Sequence, residues 1–298
     1  MSAPFQVEPF AFGVGPVQIT GFGLAVLAAF GIAQIVTVRE LARRGHAEHA
    51  AAAPDVVMAA LVGTLVGAKL YYTILTRDLH ALFSRGGFVY WGGFMGSVLA
   101  CWLLVRYRKL VFARYADVAG IAIAGGYAVG RTGCFAVGDD YGRPWGGPLA
   151  VTFPDGAPPS TAANLTELFG VRLPAGTPPS AVVGVHPSQL YEVALGLVMF
   201  AVLWRFRAHR HAEGWLFGLY CVLAGVERFL IEFVRAKDDR FFGPLTSAQV
   251  IAVGVALVGA AVMQWRRTPG PGRAGIYAEG APAADAAAAG AGAPVPAA

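Results

Sequence analysis

Seven stretches of mostly apolar residues, each long enough to cross a lipid bilayer, constrain this chain more than anything else in it. They cover residues 17–38, 56–75, 88–105, 118–137, 187–204, 215–234 and 245–265. A helix needs about 20 such residues to span the hydrocarbon core. In lipid the backbone must also satisfy its own hydrogen bonds, which favours helices. Composition agrees, because only 14% of the 298 residues are charged and 56% are hydrophobic, whereas soluble domains carry about 25% charged residues. The polar surface needed to coat a water-soluble globule is missing. The expected fold is therefore an all-α polytopic membrane protein with about seven transmembrane helices.

Basic residues set the orientation, since cytoplasmic connectors retain Lys and Arg. The connectors after the first, third, fifth and seventh segments hold thirteen of them, and the others, counted with adjoining segment ends, hold eight. This predicts an outer N-terminus and a cytoplasmic C-terminus. The first sixteen residues contain no Lys or Arg, so they lack the charged start of a cleavable signal and the first helix is expected to stay. The long connector 138–185 is rich in Pro and Gly and predicts a small, irregular extracytoplasmic cap, with a short strand over residues 149–153. Residues 1–267 then form the transmembrane domain. Residues 268–298 are mostly Ala, Gly and Pro, a composition that predicts a disordered tail. The net charge of +5 comes in short clusters with no RNA- or DNA-binding motif, so no nucleic-acid partner is expected. Cys101, Cys134 and Cys221 lie far apart with no C-x-x-C spacing, which predicts neither disulfide nor metal site. No cofactor motif is present.

An ionisable group at the bilayer centre costs about 2.5–3.5 kcal/mol on insertion scales, so each one inside a segment needs a reason. Lys69, Arg131, Glu192, Glu227, Arg228 and Glu232 all fall within segments. Arg228, Glu232 and Arg235 are spaced i, i+4, i+7 and predict a polar stripe on one helix face. The stripe reads equally as an ion-pair network holding helices together or as part of a site. Gly63 and Gly67, and Gly92, Gly93 and Gly96, have the small-residue spacing that lets helices approach closely. The alternative is bare backbone turned toward a ligand headgroup.

Two stretches are richer still. Residues 130–144 read GRTGCFAVGDDYGRP. Their glycines permit tight turns, and Arg131 and Arg143 offer planar forks suited to phosphate. This is either an anion site or an ordinary turn in which Asp139 and Asp140 neutralise the arginines. Residues 186–192 read HPSQLYE. Pro187 suits the first turn of a helix, so His186, Ser188, Gln189, Tyr191 and Glu192 should gather at the outer mouth of the fifth segment.

These two motifs, with VYWGGFMG over 89–96 and ERFLIEFVR over 227–235, resemble the bacterial prolipoprotein diacylglyceryl transferases over most of the chain, residues 13–265. The resemblance implies seven helices with the N-terminus outside, in the cytoplasmic (inner) membrane. It implies transfer of a diacylglyceryl group from phosphatidylglycerol to the lipobox cysteine of a prolipoprotein signal peptide, releasing glycerol 1-phosphate, with membrane lipids as surroundings. It makes Arg131 and Arg228 the catalytic pair that stabilises the departing phosphate, by the logic of an oxyanion hole. Substrate-binding roles follow for Gly142, Arg143, His186, Gln189, Tyr191, Glu232, Arg235, Gly92 and Gly93, and Gly133 and Gly138 are expected to make the signature's backbone turns.

Three positions depart from the family pattern. Trp91 stands where many members have His, Cys134 where many have Asn, and Phe22 where many have Tyr. An indole has no basic nitrogen, so the thiol's base is unassigned; Tyr90 and His186 are the substitutes the sequence offers. The departures motivate a second reading, a divergent paralogue with another acceptor or lipid binding alone. A transporter using the charged stripe is a third, disfavoured because no broken-helix pair recurs in the two halves.

Overall fold

The computed structural model describes residues 5–15, 17–84, 87, 89–236 and 240–278. Gly86, Phe88 and the tail from residue 279 onward lie outside the described residues. The helices are α1 (Gly21–Arg43), α2 (Ala47–Thr76), α3 (Tyr90–Tyr107), α4 (Phe112–Val137), α5 (Ala162–Glu167), α6 (Ser188–Phe206), α7 (Trp215–Ile231) and α8 (Ser247–Trp265). All but the six-residue α5 fall on the apolar stretches. Four of them, α1, α2, α6 and α8, are long and apolar enough to cross a membrane. Large apolar side chains point outward along the helices, with Leu27, Ile74 and Leu257 each about two-thirds exposed. A water-facing surface rarely carries so much apolar area, and lipid suits it.

Several segment ends differ from expectation. Residues 17–20 are not helix: β2 (Ala11–Val14) and β3 (Val17–Thr20) form an antiparallel hairpin after β1 (Phe5–Gln6). Helix α1 starts only at Gly21, where the Thr20 hydroxyl accepts from the Gly23 N–H at 3.1 Å. At the other end, the hairpin of β5 (Arg240–Phe242) and β6 (Leu245–Thr246) precedes α8. Thr246 Oγ1 accepts from the Gln249 N–H, and Gln249 Oε1 accepts from the Thr246 N–H. This reciprocal capping box satisfies two of the helix's orphan donors and fixes its start.

The chain divides into two compact units. The first holds Met1–Ile32, Gly120–Arg207 and Trp215–Trp265. Within it, β1 pairs in parallel with β4 (Val151–Thr152), tying the first residues to the cap connector. The cap has a core of its own, in which Phe153, Leu165 and Val185 are fully buried beside Val7 and Tyr141. Only part of it is irregular, because α5 and β4 are ordered around that core. Helices α7 and α8 meet at glycines: a Cβ on Gly259 would stand 2.6 Å from the Gly218 carbonyl.

The second unit holds Ala33–Ala119, Ala208–Gly214 and Arg266–Ala298. Here α2 and α3 pack through Gly63, Gly67, Gly92 and Gly96. A Cβ on Gly63 would lie 2.5 Å from the Gly96 carbonyl, and one on Gly92 would collide with the Gly67 carbonyl. Lys69, a charge inside a segment, donates to the Ser84 carbonyl at 2.7 Å. Buried charges are paired as well, Arg44 with Asp117 at 3.4 Å and Arg114 with Glu213 at 2.5 Å. Residues 268–278, expected to begin the tail, carry turns and isolated bridges. Ile276 is 2% exposed and its carbonyl meets His46 Nε2 at 3.0 Å. The low average hydrophobicity of the whole tail conceals these few anchoring residues.

Candidate active site

In the first unit, α4 runs on through Arg131 and stops at Val137. Gly138 takes a φ of +70° and its N–H returns to the Cys134 carbonyl at 3.0 Å, ending the helix with a left-handed residue. A side chain there would also strike Phe153 and Gly156. Asp140 follows with a φ of +55°, which Asp tolerates better than most residues. The reversal turns its carboxylate back onto the helix it has just left.

That carboxylate joins two arginines. Arg131 reaches it at 2.7 Å and Arg235 at 3.0 Å. Arg131 also donates to Glu192 at 2.9 Å, with Arg235 at 3.7 Å from the same oxygen. Glu192 is fully buried, and a carboxylate out of water is tolerable only when paired in this way. Burial raises the Asp140 carboxyl, but the Arg235 and Arg131 guanidinium groups outweigh it and hold it below its ordinary value. Asp139, one residue earlier, feels the same two arginines only from beyond ion-pair distance. Burial, with the Asp140 charge adding to it, pushes its carboxyl up to about 6.

The HPSQLYE residues lock this loop from α6. Ser188 donates to the Asp140 carbonyl at 2.7 Å, and the buried Gln189 donates to the Asp139 carbonyl at 2.5 Å. His186 stacks on Trp145 with ring centroids 4.3 Å apart, and its Nδ1 lies 3.3 Å from the Tyr191 hydroxyl. Burial lowers the imidazole below its ordinary value, which favours the neutral ring. Gly142 is where backbones meet: its N–H donates to the His186 carbonyl, and a Cβ on it would stand 2.5 Å from the Val234 carbonyl. Arg143 is turned to structure, its Nε donating to the Arg235 carbonyl at 2.9 Å.

The sixth segment departs from the expected continuous stripe. Helix α7 ends at Ile231, so Glu232 and Arg235 lie beyond it. The Val234 carbonyl is taken by the Arg143 N–H at 2.8 Å, and Arg235 bridges to Gly142. The chain makes one further turn, the Arg235 N–H returning to the Ile231 carbonyl at 3.2 Å, and then pairs with the signature loop. The Arg228–Glu232 pair survives at 2.5 Å, with the Arg228 side chain one-third exposed.

Arg131, Asp140, Glu192 and Arg235 are thus one cluster; Gly142, His186 and Gln189 hold its loop by hydrogen bonds, and Tyr191 meets His186. Arg228 is paired with Glu232 and makes no polar contact with that cluster among the described residues; its chain neighbour Glu227 does reach it, through Tyr127. The Tyr127 hydroxyl lies 2.9 Å from Glu227 and 3.1 Å from Glu192, and Arg131 sits over the Tyr127 ring at 5.3 Å. Tyr127 carries no charge inside an apolar segment and went unseen in the sequence. Gly133, expected in a turn, is inside α4, where a Cβ would stand 2.6 Å from that of Ala25; it admits the start of α1. Gly92 and Gly93 belong to the second unit and pack on α2 there. Cys134 Sγ lies 3.6 Å from Arg131. Ligand atoms of Cys134, Asp139 and Asp140 come within 4.8 Å of one another, but the two guanidinium groups on Asp140 already supply the positive charge.

The sequence matches the prolipoprotein diacylglyceryl transferase family over residues 9–265. It is 33% identical over 279 residues to the phosphatidylglycerol–prolipoprotein diacylglyceryl transferase of Xanthomonas oryzae pv. oryzae (strain PXO99A), covering 88% of this chain and 93% of the relative. It is 33% identical over 268 residues to the protein of the same name from Nitratidesulfovibrio vulgaris (strain DSM 19637 / Miyazaki F), covering 85% and 92%. With this coverage and the arginine cluster on its signature loop, the chain belongs to the prolipoprotein diacylglyceryl transferase family.

Proposed function

We propose that the cluster around Arg131 is where this transferase moves a diacylglyceryl group from phosphatidylglycerol to the lipobox cysteine of a prolipoprotein, with Arg131 and Arg228 as its catalytic pair. The observation that carries this is the fork of Arg131, divided between Asp140 and the buried Glu192 and so fixed in direction before any lipid arrives. A guanidinium has five N–H donors, and two ion pairs leave others for a phosphate. The acceptor thiolate attacks an sp³ glycerol carbon, and charge gathers on the departing phosphate. Preset donors stabilise that charge without having to reorganise. Arg235 and Glu232 orient the pair, and Gly142, Arg143, His186, Gln189 and Tyr191 hold the loop around it. Gly92 and Gly93 keep a packing role, closing α3 on α2.

The topology reading is seven spans, outer N-terminus, cytoplasmic C-terminus and an inner-membrane location. Its support is the connector charge count and the pairing of β1 with β4. Residues 5–6 and the 138–185 connector share one side, and four long helices separate them, an even number as that requires.

The test is to incubate purified protein with labelled phosphatidylglycerol and a lipobox peptide and read the peptide by mass spectrometry. The wild type is expected to add diacylglyceryl to the cysteine, and Arg131→Ala and Arg228→Ala to lose that product. Undiminished transfer by either variant removes that arginine from the mechanism. No adduct from the wild type, with another thiol modified instead, favours the divergent paralogue suggested by Trp91 and Cys134.

A further inference from the structure

Tyr127 presents one hydroxyl to two carboxylates, Glu192 Oε1 at 3.1 Å and Glu227 Oε1 at 2.9 Å. A phenol has one proton to donate. If both carboxyl groups were ionised, one of the two contacts would have no hydrogen between its oxygens and would be repulsive. The bonding closes only if one carboxyl brings its own proton.

The surrounding cations decide which one. Glu192 has Arg131 at 2.9 Å and Arg235 at 3.7 Å. Glu227 is 8% exposed, and among the described residues its one recorded polar partner is Tyr127, with no cationic nitrogen within 4.0 Å. An ionised carboxylate buried without a cation is costly, and the neutral acid is the usual escape. The other groups facing it are Arg131 beyond the Tyr127 ring on α4 and Glu192 on α6. On its own helix, the adjacent Arg228 is engaged by Glu232. Helix α8, packed on α7 at Gly225, contributes no titratable side chain. The donors and acceptors then run in one consistent direction, from the Glu227 carboxyl to the Tyr127 oxygen and from the Tyr127 hydroxyl to the Glu192 carboxylate.

We infer that Glu227 stores a transferable proton between Arg131 and Arg228 and is the acid–base group of the transfer, with Tyr127 relaying to Glu192. This rests on the site reading given above. The sulfur–carbon bond forms as the glycerol carbon–oxygen bond breaks, and the electron pair of the broken bond goes to the phosphate oxygen. Glu227 gives its proton to that oxygen, so the leaving group departs without a second full charge in a low-dielectric site. Glu192 takes the proton that the acceptor thiol loses before attack, and Tyr127 relays it to the Glu227 carboxylate left behind. One proton has passed from thiol to glycerol phosphate and the enzyme is restored. The thiol proton thereby has a destination in a chain that carries Trp at position 91.

The experiment uses full-length protein in phosphatidylglycerol nanodiscs and two readouts, transfer kinetics and the infrared C=O stretch of a protonated carboxyl, identified by its shift in D2O. The wild type should show that band. Glu227→Gln should lose it and lower kcat by about 10²–10⁴-fold, the range for general acid–base groups, with KM within a few-fold; Glu227→Asp should recover part of the rate. A band that persists in Glu227→Gln, or a full rate in that variant, overturns the inference. If Glu227→Gln does not fold, Tyr127→Phe keeps both carboxyl groups and should shift the band and slow transfer, and an unshifted band there overturns it equally. A wild-type band without any diacylglyceryl product would leave the proton on Glu227 but refute the reaction it serves.

Discussion

Arg131→Lys keeps the positive charge and removes the fork, which makes it the sharpest probe of the cluster. The two donors of Arg131 stand on different carboxylates, 2.7 Å from Asp140 and 2.9 Å from Glu192. An ammonium is a point charge and serves one of them well. Losing Asp140 matters little, because its side chain is 42% exposed and keeps Arg235 at 3.0 Å; exposed pairs contribute about 0–1 kcal/mol. Losing Glu192 matters more, because that carboxylate is fully buried and its remaining cation is 3.7 Å away. A charge-assisted hydrogen bond at such a site is worth about 1.5–3 kcal/mol. The fold should therefore be weakened by about that amount and persist. Catalysis should suffer more, since removing a donor aimed at developing charge costs about 10²–10³ in kcat. Initial rates of transfer from labelled phosphatidylglycerol, read beside thermal unfolding in the same nanodiscs, separate the two effects. A rate within about threefold of wild type would show that a charge at this position is enough, and would refute the claim that the fork directs the chemistry.

Two further outcomes follow from the loop. The Asp139 carboxyl is raised from 3.8 to about 6 in the folded chain, so its contribution favours the fold below 3.8 and is lost as pH rises through about 6; Asp139→Asn should raise the melting temperature near pH 8 and leave it unchanged near pH 4, and an equal gain at both would contradict that origin. Gly142→Ala would set a methyl 2.5 Å from the Val234 carbonyl and 2.7 Å from His186 Cβ; overpacking of this kind costs about 1–3 kcal/mol, and a variant that melts with wild type would mean the loop yields at no cost.

The long helices were legible because hydropathy over about 20 residues reports burial in lipid directly. Their ends were less so. Residues 17–20 and 245–246 are apolar enough to continue a helix, yet hairpin pairing claims them, and pairing partners lie outside any local window. The stop of α7 at Ile231 has the same cause, since the backbone after it is bonded to residues 142 and 143. At the site, Arg131, the signature loop and the buried Glu192 stood out as charges where charges are expensive. Tyr127 did not, because its hydroxyl meets carboxylates 65 and 100 residues away in the chain. The packing duty of Gly133 was hidden because a glycine inside a helix and one in a turn read alike.

The strand at Phe5–Gln6 completes a sheet whose other half lies nearly 150 residues later, at Val151–Thr152. Whichever face of the bilayer holds the one must hold the other. The Phe5–Gln6 strand precedes α1 to α4 in the chain and finds its partner only once β4 has been made. Until then the Val7 side chain lacks the Phe153 and Leu165 neighbours that enclose it. Closure of the cap thus waits on the later of its two strands.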